Sequence, residues 1–105
     1  MTDALVVLVT APSPEIAATI ARACVESRVA ACGNVVPGLR SIYRWEGKVQ
    51  DDAEALLVLK TTRDRFDALR EKVLALHPYQ VPEVIAVGIE AGSAPYLAWI
   101  TAETR

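Results

Sequence analysis

Apolar positions along the chain alternate between runs that read as strands and stripes that read as helices. "ALVVLVTA", Ala4 to Ala11, is a continuous run rich in β-branched residues, the pattern of a strand covered on both faces or lying along a subunit contact, and it predicts a central strand. In the following "PSPE", Ser13 stands where a helix cap belongs and Pro14 at the first helical position, where its missing N–H costs nothing. Ile16, Ile20 and Cys24 recur at helical spacing beside Ala17, Ala21 and Val25, which predicts a helix with an apolar stripe through to about Val29.

From Cys32 the pattern changes to extended segments. "CGNVVPG" suggests a strand bent near Pro37, and "RSIYRWEG" puts Tyr43 and Trp45 on one face with Ile42, Arg44 and Glu46 on the other. "GKVQDD" is expected to supply a turn, after which "AEALLVLKT" returns with Ala55, Leu57 and Leu59 opposite Glu54, Leu56, Val58 and Lys60. Thr61 or Thr62 can cap a second helix whose inner face carries Phe66, Leu69, Val73 and Leu76; it must stop at His77, because the residue before a proline is pushed out of the helical region. "EVIAVGIEA" predicts the last full strand, and "SAPYLAWITAE" a short terminal element of undetermined type.

The order strand, helix, strand, strand, helix, strand is that of an α+β, ferredoxin-like (βαββαβ) sandwich with an extra C-terminal element. Helices then cover one face of the sheet only. The other face would present apolar side chains from Leu5 to Val9, Leu57 to Leu59 and Val84 to Ile89, more than a soluble monomer usually exposes, so a homo-oligomer is predicted.

Composition narrows the picture. The 105 residues fit a single domain, 1–105, and a content of 52% hydrophobic but only 6% aromatic residues requires a core built from Ala, Val, Leu and Ile. Eleven basic against 13 acidic residues, with no basic run able to follow a phosphate backbone, argue against a nucleic-acid partner. Met1 to Ala11 lacks a basic start and is too short for membrane insertion, so a cytoplasmic location is expected, with Cys24 and Cys32 as free thiols.

Candidate chemistry centres on "HPYQVPE", His77 to Glu83, which holds the only histidine. His77, Glu83 and a cysteine supply donor types that a copper or zinc site uses, and symmetry can multiply them. The competing interpretation is a rigid helix-to-strand connection with His77 at a helix end. Cys24 belongs to a helix stripe and reads as core; Cys32, beside Gly33, is the more accessible thiol, and a Cys32/His77 nucleophilic pair requires those side chains within hydrogen-bond reach. Tyr43, Trp45, Tyr79, Tyr96 and Trp99 suit packing at a subunit seam. Lys60 and Glu54, with Arg40 and Arg44 nearby, suit either an anion pocket or a solvated ladder of opposite charges. No glycine-rich phosphate loop, paired catalytic carboxylates or Ser/His/Asp constellation is present.

Taken in order, "VVLVTAPSPEIA", "AACGNVVPGLRSIYRWEGK", "LVLKTT", "HPYQVPE" and "YLAWI" resemble the signature segments of the CutA divalent-cation tolerance proteins, from about Leu5 to Ile100. The resemblance implies a ferredoxin-like subunit assembled as a homotrimer, with the long hairpin pairing across subunit edges. It implies a cytoplasmic, non-enzymatic protein tied to tolerance of copper and other divalent cations. By position the family's pocket falls on Cys32, Tyr43, Trp45, Glu54, Lys60, His77, Tyr79 and Glu83, of which His77 and Glu83 match the metal-ligand region of some members. Other members carry a cysteine in the first strand and a second histidine before "HPY"; this chain has Val9 and Leu76 there, so copper binding is expected to be weak. The resemblance also implies an architecture similar to the PII signalling trimers. The alternative function is accordingly a PII-like trimer that binds a small ligand in its intersubunit clefts through Lys60, Tyr43, Trp45 and Glu54.

Overall fold

The computed structural model describes residues 2–105, so of the segments considered above only Met1 lies outside the described residues. An antiparallel four-stranded sheet and three α-helices form an α+β fold, with the strands in the order β2-β3-β1-β4. β1 (Ala4–Ala11), α1 (Pro14–Glu26), β2 (Cys32–Trp45), β3 (Lys48–Thr62), α2 (Phe66–Leu76), β4 (Ile85–Gly88) and α3 (Ala94–Glu103) follow one another along the chain, and β3 lies between β1 and β2.

β1 is central, as its apolar run predicts, and pairs with β3 along its whole length and with β4 from Leu5 to Leu8. Paired residues share a face, so Val7 opposite Leu59 and Val9 opposite Leu57 point to the helices, and all four are fully buried. Ala17, Ile20, Ala21 and Cys24 of α1 and Leu69 and Val73 of α2 complete this core. Gly33 lets α1 approach β2: a Cβ there would stand 2.8 Å from the Ala21 Cβ.

α1 begins as expected, with the Ser13 hydroxyl accepting from the Ile16 N–H at 3.2 Å. It ends at Glu26, short of Val29, because Arg28 turns left-handed (φ 61°) and the Val29 and Ala30 N–H groups fold back onto the Cys24 carbonyl. Val29 is buried all the same, which is why it extends the apolar stripe.

The hairpin is longer than its polarity suggests. Its turn is Glu46–Gly47, both at positive φ (51° and 78°), and Lys48 to Asp52, expected to be a turn, belong to β3 and pair with Trp45 to Ser41. Both faces of this distal half are largely solvated, so polar residues there carry no turn signal. β2 bends where expected, with a register shift between Val36 and Leu39 and Gly38 at φ 84°.

Four further expectations need correction. Leu57 and Leu59 lie under the helices; the open face carries Val6, Leu8, Leu56 and Val58, half-buried, with Val36, Ile85 and Val87 exposed. α2 starts at Phe66 after a 3-10 turn at Arg63–Arg65, and Thr62 bonds the Asp64 side chain in place of a helix N–H. Leu76 is exposed, so the inner stripe of α2 ends at Val73. β4 spans four residues, fewer than "EVIAVGIEA" suggests, and the terminal element is a helix whose Ile100 is buried with Ala4 and Ala31 at one end of the sheet. No described helix is long and apolar enough to cross a membrane.

Candidate functional site

The connection from α2 to β4 is fastened through His77. Pro78 forces the His77 backbone to be extended (φ −78°, ψ 134°), which ends α2 and turns the ring inward, where only 7% of the residue is exposed. Its Nε2 lies 2.7 Å from the Thr10 carbonyl of β1. A carbonyl only accepts, so Nε2 carries the proton, and Nδ1 accepts the Tyr79 N–H at 3.1 Å. The Tyr79 ring then packs at a tilt against His77, with centroids 4.7 Å apart, and its hydroxyl donates to Glu54 Oε2 at 2.7 Å. One relay therefore ties the loop to both central strands.

Between this loop and the bend of the hairpin lies a cleft of about 800 Å³. The alternation of β2 brings Leu39, Ser41, Tyr43 and Trp45 to it, and β3 brings Glu54 and Leu56. Pro78 to Val81 and Glu83 form the loop side. Glu54 is 8% exposed and its second carboxylate oxygen has no protein donor among the described residues. The Tyr43 hydroxyl donates to Asp52 at 2.6 Å, a bond that raises its pKa. Burial, then the Glu54 hydrogen bond, pushes the Tyr79 phenol well above its ordinary value of 10.0. Among the described residues, the lining contains two carboxylates, Glu54 and Glu83, and no Lys, Arg or His.

Five of the eight residues predicted for the site line this cleft: Tyr43, Trp45, Glu54, Tyr79 and Glu83. His77 stands behind the lining and positions it. Cys32 and Lys60 are elsewhere, opposite each other at the far end of β3, with Lys60 Nζ 3.8 Å from Cys32 Sγ and bonded to the Asn34 side chain. Six residues separate Lys60 from Glu54 along the strand, about 20 Å. A Cys32/His77 pair does not form, since the His77 nitrogens bond Thr10 and Tyr79 while the Cys32 sulfur contacts Asn34 and Lys60. Arg40 and Arg44 alternate to the opposite side of β2 from Tyr43, and Arg40 forms a two-bond pair with Asp51. The Cys24 thiol is core, its pKa raised to about 11 by burial. Sequence reasoning missed Asp52, hidden in an apparent turn, and the Thr10 carbonyl, which carries no side-chain signal.

Among the described residues of the chain, the donor set does not bring three ligands together. No group of three or more His, Cys, Asp or Glu side chains among the described residues converges to hold an ion, and a metal on His77 would have to displace either the Thr10 carbonyl or the Tyr79 N–H.

Residues 5–103 match the family model described as CutA1 divalent ion tolerance protein, and the chain belongs to that family. It is 57% identical over 99 residues to the divalent-cation tolerance protein CutA of Thermus thermophilus, a match covering 94% of this chain and 96% of the relative. The chloroplastic protein CutA 1 of Oryza sativa subsp. japonica is 50% identical over 101 residues, 96% of this chain but 57% of the relative, so the chain spans little more than half of that protein. The solved structure of the T. thermophilus divalent cation tolerance protein (Cut A1) aligns with a TM-score of 0.94 at 55% identity, covering 97% of this chain and 99% of that one. The family is named for tolerance of divalent ions, not for a catalysed reaction.

Proposed function

We propose that this chain acts in the cellular response to divalent metal ions as a cytoplasmic, non-enzymatic homotrimer of ferredoxin-like subunits. Family membership supports the tolerance role. The open sheet face, with Val36, Ile85 and Val87 exposed beside half-buried Val6, Leu8, Leu56 and Val58, supports assembly, since a contiguous apolar surface of this kind calls for a covering partner.

The observation that carries cation binding is the charge of the cleft, where Glu54 and Glu83 stand without a cationic neighbour in the lining. Such a site concentrates divalent ions, copper among them, weakly and through oxygen donors, with Glu83 as the exposed contact. His77 contributes chiefly by holding the loop. Lys60, on which an anionic effector would depend, lies outside the cleft, which favours the cation reading over the PII-like one.

Calorimetric titration of the metal-free protein with Cu(II) and then Zn(II), repeated on Glu83→Gln, tests the reading. Weak binding that falls in the variant is expected; binding untouched by Glu83→Gln would place the ion elsewhere. Light scattering should give a mass three times that of the 11.3 kDa chain.

A further inference from the structure

The strands of the open sheet face carry four charged residues, all on β3: Lys48, Asp52, Glu54 and Lys60. Lys48 and Asp52 stand exposed in the solvated half of the hairpin, whereas Glu54 is buried and Lys60 half-buried. Among the described residues, neither Glu54 nor Lys60 has a partner of opposite charge. Glu54 accepts from the Tyr79 hydroxyl through one oxygen, and Lys60 Nζ reaches the Asn34 amide oxygen and, at 3.8 Å, Cys32 Sγ. Six residues apart, the two share a face of the strand but lie about 20 Å from each other, too far to pair within one chain.

A second copy laid on this face withdraws both charges further from water. An ion buried without its counter-charge opposes association, whereas a well-bonded pair of opposite ions largely offsets its own desolvation. The face is self-complementary in this respect, with an ammonium at one end, a carboxylate toward the other and Leu56 and Val58 between them. In a closed ring each subunit meets its neighbours through two different patches, so Lys60 of one copy can face Glu54 of the next. We infer that an ion pair between those two side chains sets the register of the assembly, the ammonium taking the carboxylate oxygen that Tyr79 leaves open. The neighbouring copy thereby completes the cleft. The pair neutralises Glu54, leaves Glu83 as the carboxylate open to cations and occupies the ammonium that an anionic effector would need. This pairing rests on the assembly of the proposed function but needs no metal.

Light scattering across a dilution series in sub-denaturing urea reads the dissociation of the parent, of Lys60→Met, of Glu54→Gln and of the double variant. Lys60→Met keeps an unbranched side chain of similar bulk, and Glu54→Gln keeps an oxygen for the Tyr79 hydroxyl; circular dichroism checks that each retains the fold. Each single variant should weaken association by about tenfold, and the double variant by no more than either, where independent effects would multiply to about a hundredfold. Lys60→Arg, which keeps the charge, should assemble nearly as the parent does. A Lys60→Met protein that assembles like the parent, or effects that multiply in the double variant, would overturn the pairing and leave the assembly standing. A parent that stays monomeric at every concentration would overturn both.

Discussion

Replacing Tyr79 with Phe removes one hydroxyl while keeping the ring that packs against His77. The lost hydrogen bond is 2.7 Å long and ends on a carboxylate that is only 8% exposed, leaving Glu54 buried without its donor. Hydrogen bonds to charged groups contribute roughly 1.5–3 kcal/mol, and the partial exposure of Tyr79 places this one toward the lower end, about 1.5–2 kcal/mol. Urea unfolding at pH 7 and one fixed protein concentration should show that loss, the concentration being held because the proposed association would add to stability. A double-mutant cycle with Glu54→Gln should return a coupling of about 1 kcal/mol. The pH dependence has a definite sign. The folded-state pKa of Tyr79 is raised above its ordinary 10.0, so above pH 10 the unfolded chain binds fewer protons than the folded one and stability falls as pH rises. Its contribution is complete below pH 10, and the Phe variant should lose stability less steeply above that point. A variant as stable as the parent at pH 7, with the same alkaline slope, would show that the relay from loop to strand does not exist.

Gly33→Ala should destabilise by about 1–3 kcal/mol in thermal or urea unfolding, because the new methyl meets the Ala21 Cβ at 2.8 Å and two core leucines close by; an unchanged midpoint would mean α1 is free to shift. Val58→Asp places a charge on the open apolar face and should dissociate or unfold the proposed assembly at a cost on the order of 3–5 kcal/mol; a folded trimer by light scattering would show that this face stays in water. Cys24→Ala should cost about 1 kcal/mol at neutral pH. It should also remove part of the stability decline between pH 9 and about 11, since burial keeps the folded thiol protonated where the unfolded one ionises; an identical decline in both proteins would contradict that placement.

The sequence by itself determined the order of elements, the central place of β1, the capped start of α1, the bend near Pro37 and the stop at His77. Each depends on local chemistry that acts wherever the segment ends up: hydrophobic period, a serine before a proline, a residue forced extended by the proline after it. It also singled out five of the side chains that line the cleft, through motif resemblance and the alternation of β2. Tertiary structure alone decided the rest. The hairpin turn moved to Glu46–Gly47 because a solvated ribbon needs no apolar face, so its strands look like loop. Leu76 surfaced because α2 leaves the core after Val73, and the C-terminal segment became a helix by burying Ile100 against Ala4 and Ala31. Register separated Lys60 and Cys32 from Glu54 by about 20 Å, dividing one list of candidates into two sites. Both His77 nitrogens went to partners on β1 and on its own loop, a use of the ring that depends on how close those segments lie in space.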